Sequence, residues 1–182
     1  MKKQLLIALS MFLAGTSSAQ ISMSDALKIM PNSMIPYLTE NNRLDCIDFF
    51  EAGMKAEVRN ALDGKSELLQ LTDRYAMFHL NDAVEMELAL LNANERQLIC
   101  MISTFGKDIR ESNITFFDTT WKKLSTSDFI DLPRQMFTAK FNSEDSSLTI
   151  VCRTTLERPA NEEQEEIKEV QTNLKWDGKM FK

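Results

Sequence analysis

Histidine occurs once, as His79, and cysteine three times, as Cys46, Cys100 and Cys152. One imidazole excludes a metal centre built on several histidines within one chain. Three cysteines allow at most one intrachain disulfide. Glycine (5) and proline (4) are scarce, so there is no glycine-rich phosphate loop and no Pro/Gly linker dividing the chain. Positive charge is also short: 21 Lys+Arg stand against 27 Asp+Glu, a formal net charge of −6. The basic residues are scattered, which argues against nucleic acid as the main partner. No apolar run approaches the roughly 20 residues a membrane helix needs, so no membrane span is expected.

What the chain does have is a globular composition, 43% hydrophobic and 26% charged. Lys2 and Lys3 precede the apolar run Leu5 to Ala14, and the small residues Ser17 and Ala19 precede Gln20. This is the three-part layout of a cleaved signal peptide. We expect residues 1–19 to be an export signal and residues 20–182 to form one domain in the periplasm or outside the cell. Removing the signal takes away two lysines and no acid, so the mature protein is the more acidic one. In an oxidising compartment the cysteines become a question. Each has apolar neighbours, and we expect three buried thiols rather than a Cys100–Cys152 bridge.

Ser22 with Asp25 forms a capping-box pattern for a short helix that Pro31 ends. A second helix is expected near Leu44–Val58, capped by Asn42, with Ile47, Phe50, Met54 and Val58 as its stripe. Beyond Asp63-Gly64 the period becomes alternating. Val84, Met86, Leu88 and Leu90 alternate with Glu85 and Glu87, which reads as a strand with one buried and one wet face. Strands are also expected at Gln97–Thr104, Ile114–Phe117, Phe137–Phe141 and Leu148–Cys152. Asn161 and Gln164 suggest a last capping box, with Ile167, Val170 and Leu174 as the stripe of a C-terminal helix. The fold class is α+β: one antiparallel meander sheet with N-terminal helices and a C-terminal helix packed on it.

The segment Met30-Pro31-Asn32-Ser33-Met34-Ile35-Pro36-Tyr37-Leu38-Thr39-Glu40-Asn41-Asn42-Arg43-Leu44-Asp45 resembles an uncharacterised, domain-of-unknown-function family of exported Gram-negative bacterial proteins. The resemblance continues through Met54–Val58 and Gly64–Leu68, and more weakly at Leu98–Cys100, Ser112–Asp118 and Trp121. It implies an exported, single-domain protein and no particular reaction.

No nucleophile-elbow pattern surrounds His79, so we expect a structural strand histidine. Asp108 and Glu111 share a loop that could carry acid/base chemistry or a ligand contact, although it lacks the spacing of a calcium loop. Thr39 to Arg43 reads as a helix-capping junction rather than a ligand loop. Phe117 and Trp121 could belong to an exposed aromatic platform for a sugar or peptide. Asp118-Thr119-Thr120 looks like an O-glycosylation acceptor centred on Thr119. No metal and no cofactor is implied. The expected function is a non-enzymatic binding or structural module for a protein or glycan of the cell envelope. The alternative is a hydrolase using carboxylates such as Asp108, Glu111 or Asp118.

Overall fold

The computed structural model describes residues 20–94, 96–145, 147–155 and 167–182. Helix α1 spans Met23–Lys28 and closes with the expected reciprocal cap: the Ser22 side chain accepts from the Asp25 N–H, and Asp25 returns the bond. A 3₁₀ turn, Asn32–Met34, follows Pro31. Helix α2 spans Glu40–Glu51, earlier than its apolar spacing suggests, because Thr39 rather than Asn42 accepts the first free amide. It also stops earlier. Gly53 takes φ +69°, and the Met54 and Gly53 amides bond back to the Phe49 and Phe50 carbonyls. That closing motif needs a left-handed residue, which glycine supplies without steric cost. Met54 is therefore exposed, and Val58 belongs to a strand.

Six strands then form one antiparallel meander: β1 (Glu57–Arg59), β2 (Lys65–Leu71), β3 (Tyr75–Asn81), β4 (Val84–Ala93), β5 (Arg96–Phe105) and β6 (Glu111–Asp118). A separate three-stranded sheet follows, β7 (Phe137–Phe141), β8 (Leu148–Thr155) and β9 (Ile167–Leu174). The strands expected along the middle of the chain are present. The single sheet and the C-terminal helix are corrected. Ile167–Leu174 is a strand whose residues pair antiparallel with β8, in the register Cys152↔Val170 and Leu148↔Leu174. The candidate caps Asn161 and Gln164 lie outside the described residues.

Alternation along the meander divides the core in two. Phe78, Leu80, Met86, Leu88, Leu90 and Ile99 face the helices, where they meet Met23, Leu27, Ile35, Leu38 and Ile47. Leu91, Leu98, Cys100, Ile102, Ile114 and Phe116 face the other way, against Phe137, Ala139, Phe141, Leu148 and Ile150 of the second sheet. The meander is thus covered on both faces, which is why Leu88–Leu91 of β4 and Leu98–Ile102 of β5 are unbroken apolar runs. Glu87, expected on a wet face, is only 5% exposed for the same reason.

Two polar side chains tie the helices down. Arg43 is fully buried; its Nε donates to the Leu27 carbonyl (2.7 Å), Nη2 to Met30 (2.8 Å) and Nη1 to Asn32 Oδ1 (3.1 Å). It therefore adds a donor to the Leu27 carbonyl at the C-terminal end of α1 and satisfies the Met30 carbonyl just beyond it. The indole Nε1 of Trp121 donates to the Ala26 carbonyl (2.9 Å), joining the turn after β6 to α1.

Candidate functional site

The face of the meander that meets the second sheet is graded from apolar to polar. Cross-strand register sets up three successive rows. Tyr75, Ala89, Cys100 and Phe116 form one, and Met77, Glu87, Ile102 and Ile114 the next. The third is His79, Glu85, Thr104 and Ser112. The second sheet covers the apolar rows. Over the polar row the two sheets part, leaving a cleft of about 420 Å³. Glu85, Glu87, Thr104 and Arg110 line one wall, and Thr138, Lys140, Thr149, Val151 and Arg153 the other. That size falls in the range of small-molecule sites.

At its floor, Glu87 Oε2 accepts from the Tyr75 hydroxyl (2.8 Å) and the Phe141 amide (3.0 Å). Burial pushes the Glu87 carboxyl above its ordinary value, against the opposing pull of those hydrogen bonds and of the Lys140 charge. Burial, then the Glu87 charge, pushes the Tyr75 phenol up as well. Next to it, Glu85 Oε2 takes a 2.6 Å ion pair from Arg110 Nη2, with His79 Nδ1 4.0 Å from the other oxygen. Arg110 Nε, on the same edge of the guanidinium, is shielded from solvent and has no hydrogen-bond partner among the described residues. Arg153 is paired with Glu169 (2.9 Å). Lys140 has no carboxylate within ion-pair distance among the described residues. Carboxylates, cations and the threonines Thr138 and Thr149 thus line one opening, the Thr149 hydroxyl donating to Asn173 Oδ1 (2.9 Å).

The residues singled out from the sequence lie elsewhere. Asp108 and Glu111 are exposed at the β5–β6 connection and do not line the cleft. Phe117 and Trp121 are buried, 2% and 4% exposed, and pack on each other at 5.4 Å between ring centroids. Neither ring presents a surface to a partner. Phe116 is buried on the opposite face, among Phe129 and Phe181. Asp118 Oδ1 accepts from the Thr120 amide (2.8 Å), the Thr120 hydroxyl (2.7 Å) and the Lys122 amide (3.0 Å). Burial alone would raise its pKa, but these bonds outweigh it and hold the carboxyl below its ordinary value. Asp118 is therefore a charged turn acceptor rather than a proton donor. Thr119 sits half-buried in that turn. Thr39 to Arg43 is a helix-capping junction, with Thr39 in place of the expected Asn42 as the cap, and the three cysteines are free and buried. Among the described residues, no helix is long and apolar enough to cross a membrane. Nothing in the sequence near Glu85, Arg110 or Lys140 marks the cleft, because it is made by strand register and by the way one sheet covers another.

These features define an α+β protein with a cleft between two antiparallel sheets. The chain belongs to the family described as "Protein of unknown function (DUF3256)", whose model matches residues 16–146. That match takes in the helices, the meander and β7. The likeness to an uncharacterised family, first suggested by Met30–Asp45, is thereby established. No curated protein matches the chain. A solved structure described as a domain of an uncharacterized protein from Porphyromonas gingivalis W83 shares the fold, with a TM-score of 0.72. It covers 90% of this chain and 98% of its own, at 18% identity.

Proposed function

We propose that this is an exported binding module of the cell envelope, and that its ligand, a protein or a glycan, seats in the cleft between the two sheets. One observation carries the reading. The cleft gathers Glu85, Arg110, Lys140 and threonine hydroxyls at the end of an otherwise apolar interface. Polar groups held there do not serve the core, and convergent polar groups in a concavity are what ligand recognition uses. Export is supported by the layout of residues 1–19. Hydrolysis by Asp108, Glu111 and Asp118 has less support, since none of the three lines the cleft. Glu85 and Glu87 do line it, but Arg110 engages the first, and Tyr75 with Phe141 the second.

Photo-crosslinking in the native host tests the proposal. A crosslinking amino acid at Thr138, on the cleft wall, is expected to trap an envelope component. The same group at Leu62, on the exposed β1–β2 turn, is expected to trap none. Absence of a Thr138 adduct, or equal adducts at both positions, would overturn it. The protein recovered in that experiment should begin at Gln20.

A further inference from the structure

We propose that the cleft is built for a carboxylated sugar, with Lys140 and the unpaired Nε of Arg110 taking the carboxylate. This rests on the reading of the cleft as the binding site and adds its chemistry.

Charge comes first. Five charged side chains line the cleft, and four are accounted for: Glu85 with Arg110, Arg153 with Glu169, and Glu87 with Tyr75 and Phe141. Lys140 is the cation left over, exposed beside Glu87. Three cations and two carboxylates line the cleft, so positive charge is in excess there.

Arg110 points the same way. A guanidinium matches a carboxylate through two adjacent N–H groups. Here Glu85 occupies Nη2 and leaves Nε on that edge without an acceptor. A buried donor without a partner is costly to keep. A second carboxylate oxygen, reached by a small movement of the side chain, would fill it.

The walls choose between a sugar and a peptide. A peptide commonly binds beside a sheet by adding a strand to an open edge. The β7 edge next to the cleft is already used: the Ala139 amide donates to Ser112 Oγ (2.9 Å) and the Phe141 amide to Glu87 Oε2. The cleft is further lined by Thr138, Thr149 and Asn142 with the small apolar Ala139 and Val151. Thr149 already donates to Asn173 Oδ1, and Asn142 Oδ1 accepts from the Glu144 amide. That leaves the Thr138 hydroxyl, the Asn142 NH2 and the Thr149 lone pairs to a ligand. Short hydroxyl and amide groups around an apolar patch suit the hydroxyls and C–H face of a pyranose.

Calorimetric titration of the mature protein with glucuronate, glucose and a Glu-Glu dipeptide tests this. Glucuronate is expected to bind at least tenfold more tightly than glucose and than the dipeptide. Lys140→Gln, an exposed substitution that leaves the core untouched, is expected to weaken glucuronate at least fivefold, and Arg110→Gln likewise. Equal binding of glucose and glucuronate would overturn the carboxylate assignment. Preference for the dipeptide would overturn the sugar. Binding of none of the three would overturn the whole inference, while a Thr138-specific adduct in the host would still uphold the cleft as the binding site.

Discussion

Replacing Arg43 by methionine tests whether a buried cation, rather than apolar contact alone, holds the helices to the meander. Methionine keeps much of the aliphatic volume and removes every donor. The Met30 carbonyl and Asn32 Oδ1 then lose the guanidinium, and the buried Leu27 carbonyl keeps only a longer bond from the Met30 amide, at 3.3 Å. One orphaned main-chain acceptor costs roughly 1–3 kcal/mol, and the weakened Leu27 carbonyl adds less. Against this, burial opposes the guanidinium charge and lowers its pKa, so some desolvation penalty is recovered. We expect a net loss of about 2 kcal/mol, a large share of the roughly 5–15 kcal/mol of a typical domain. Arg43→Lys should lose nearly as much, because one ammonium cannot reach three acceptors spread along a planar fork. Urea unfolding followed by tryptophan fluorescence measures the loss. Trp121 lies against Ala26 in the helix-side core, and Trp176 packs against Phe129 and Phe181 in the other. A double set of single-tryptophan variants therefore reports each core separately. A loss below about 1 kcal/mol for Arg43→Met, within the usual range of a surface change, would refute the reasoning.

Glu87→Gln keeps an acceptor for Tyr75 and Phe141 but removes the titration. Because the folded pKa is raised, the wild-type contribution is fully present below the ordinary value of 4.5. It is lost as pH rises through the folded value. Melting temperatures of the two proteins should therefore diverge in favour of wild type at pH 4 relative to pH 7; a pH-independent difference would count against it. All three thiols are buried and should resist a thiol reagent in the native protein; burial also raises the Cys46 thiol to about 11 and pushes Cys100 up. Three should react after denaturation without reductant, and a count of one would establish a disulfide.

The strands of the meander were readable because burial on one or both faces imprints a period of two, as in Val84 to Leu90. Strand β9 was not. Its described side chains are exposed on both faces from Lys168 to Asn173, so nothing selects an alternating pattern there. The apolar residues Ile167, Val170 and Leu174 fall by chance at helical spacing. Pairing with β8 decides the structure, and pairing is not a local property. The end of α2 failed differently: Gly53 reads as a weak helix interior unless the left-handed cap is foreseen. Arg43 looked like part of a polar junction, and its burial depends on where α1 ends. The cleft shows the limit most plainly. Glu85, Arg110 and Lys140 sit far apart in sequence, and only register and sheet stacking make them neighbours.

The amides of Ala139 and Phe141 have a further consequence. A short sheet standing against another protein surface presents unpaired N–H groups along its outer strand, an invitation for a second chain to add itself there. Ser112 and Glu87 occupy those donors from within. The same two side chains that anchor the second sheet also keep β7 closed to copies of the protein. Loss of either acceptor would be felt as self-association at high concentration as well as in the stability of a single molecule.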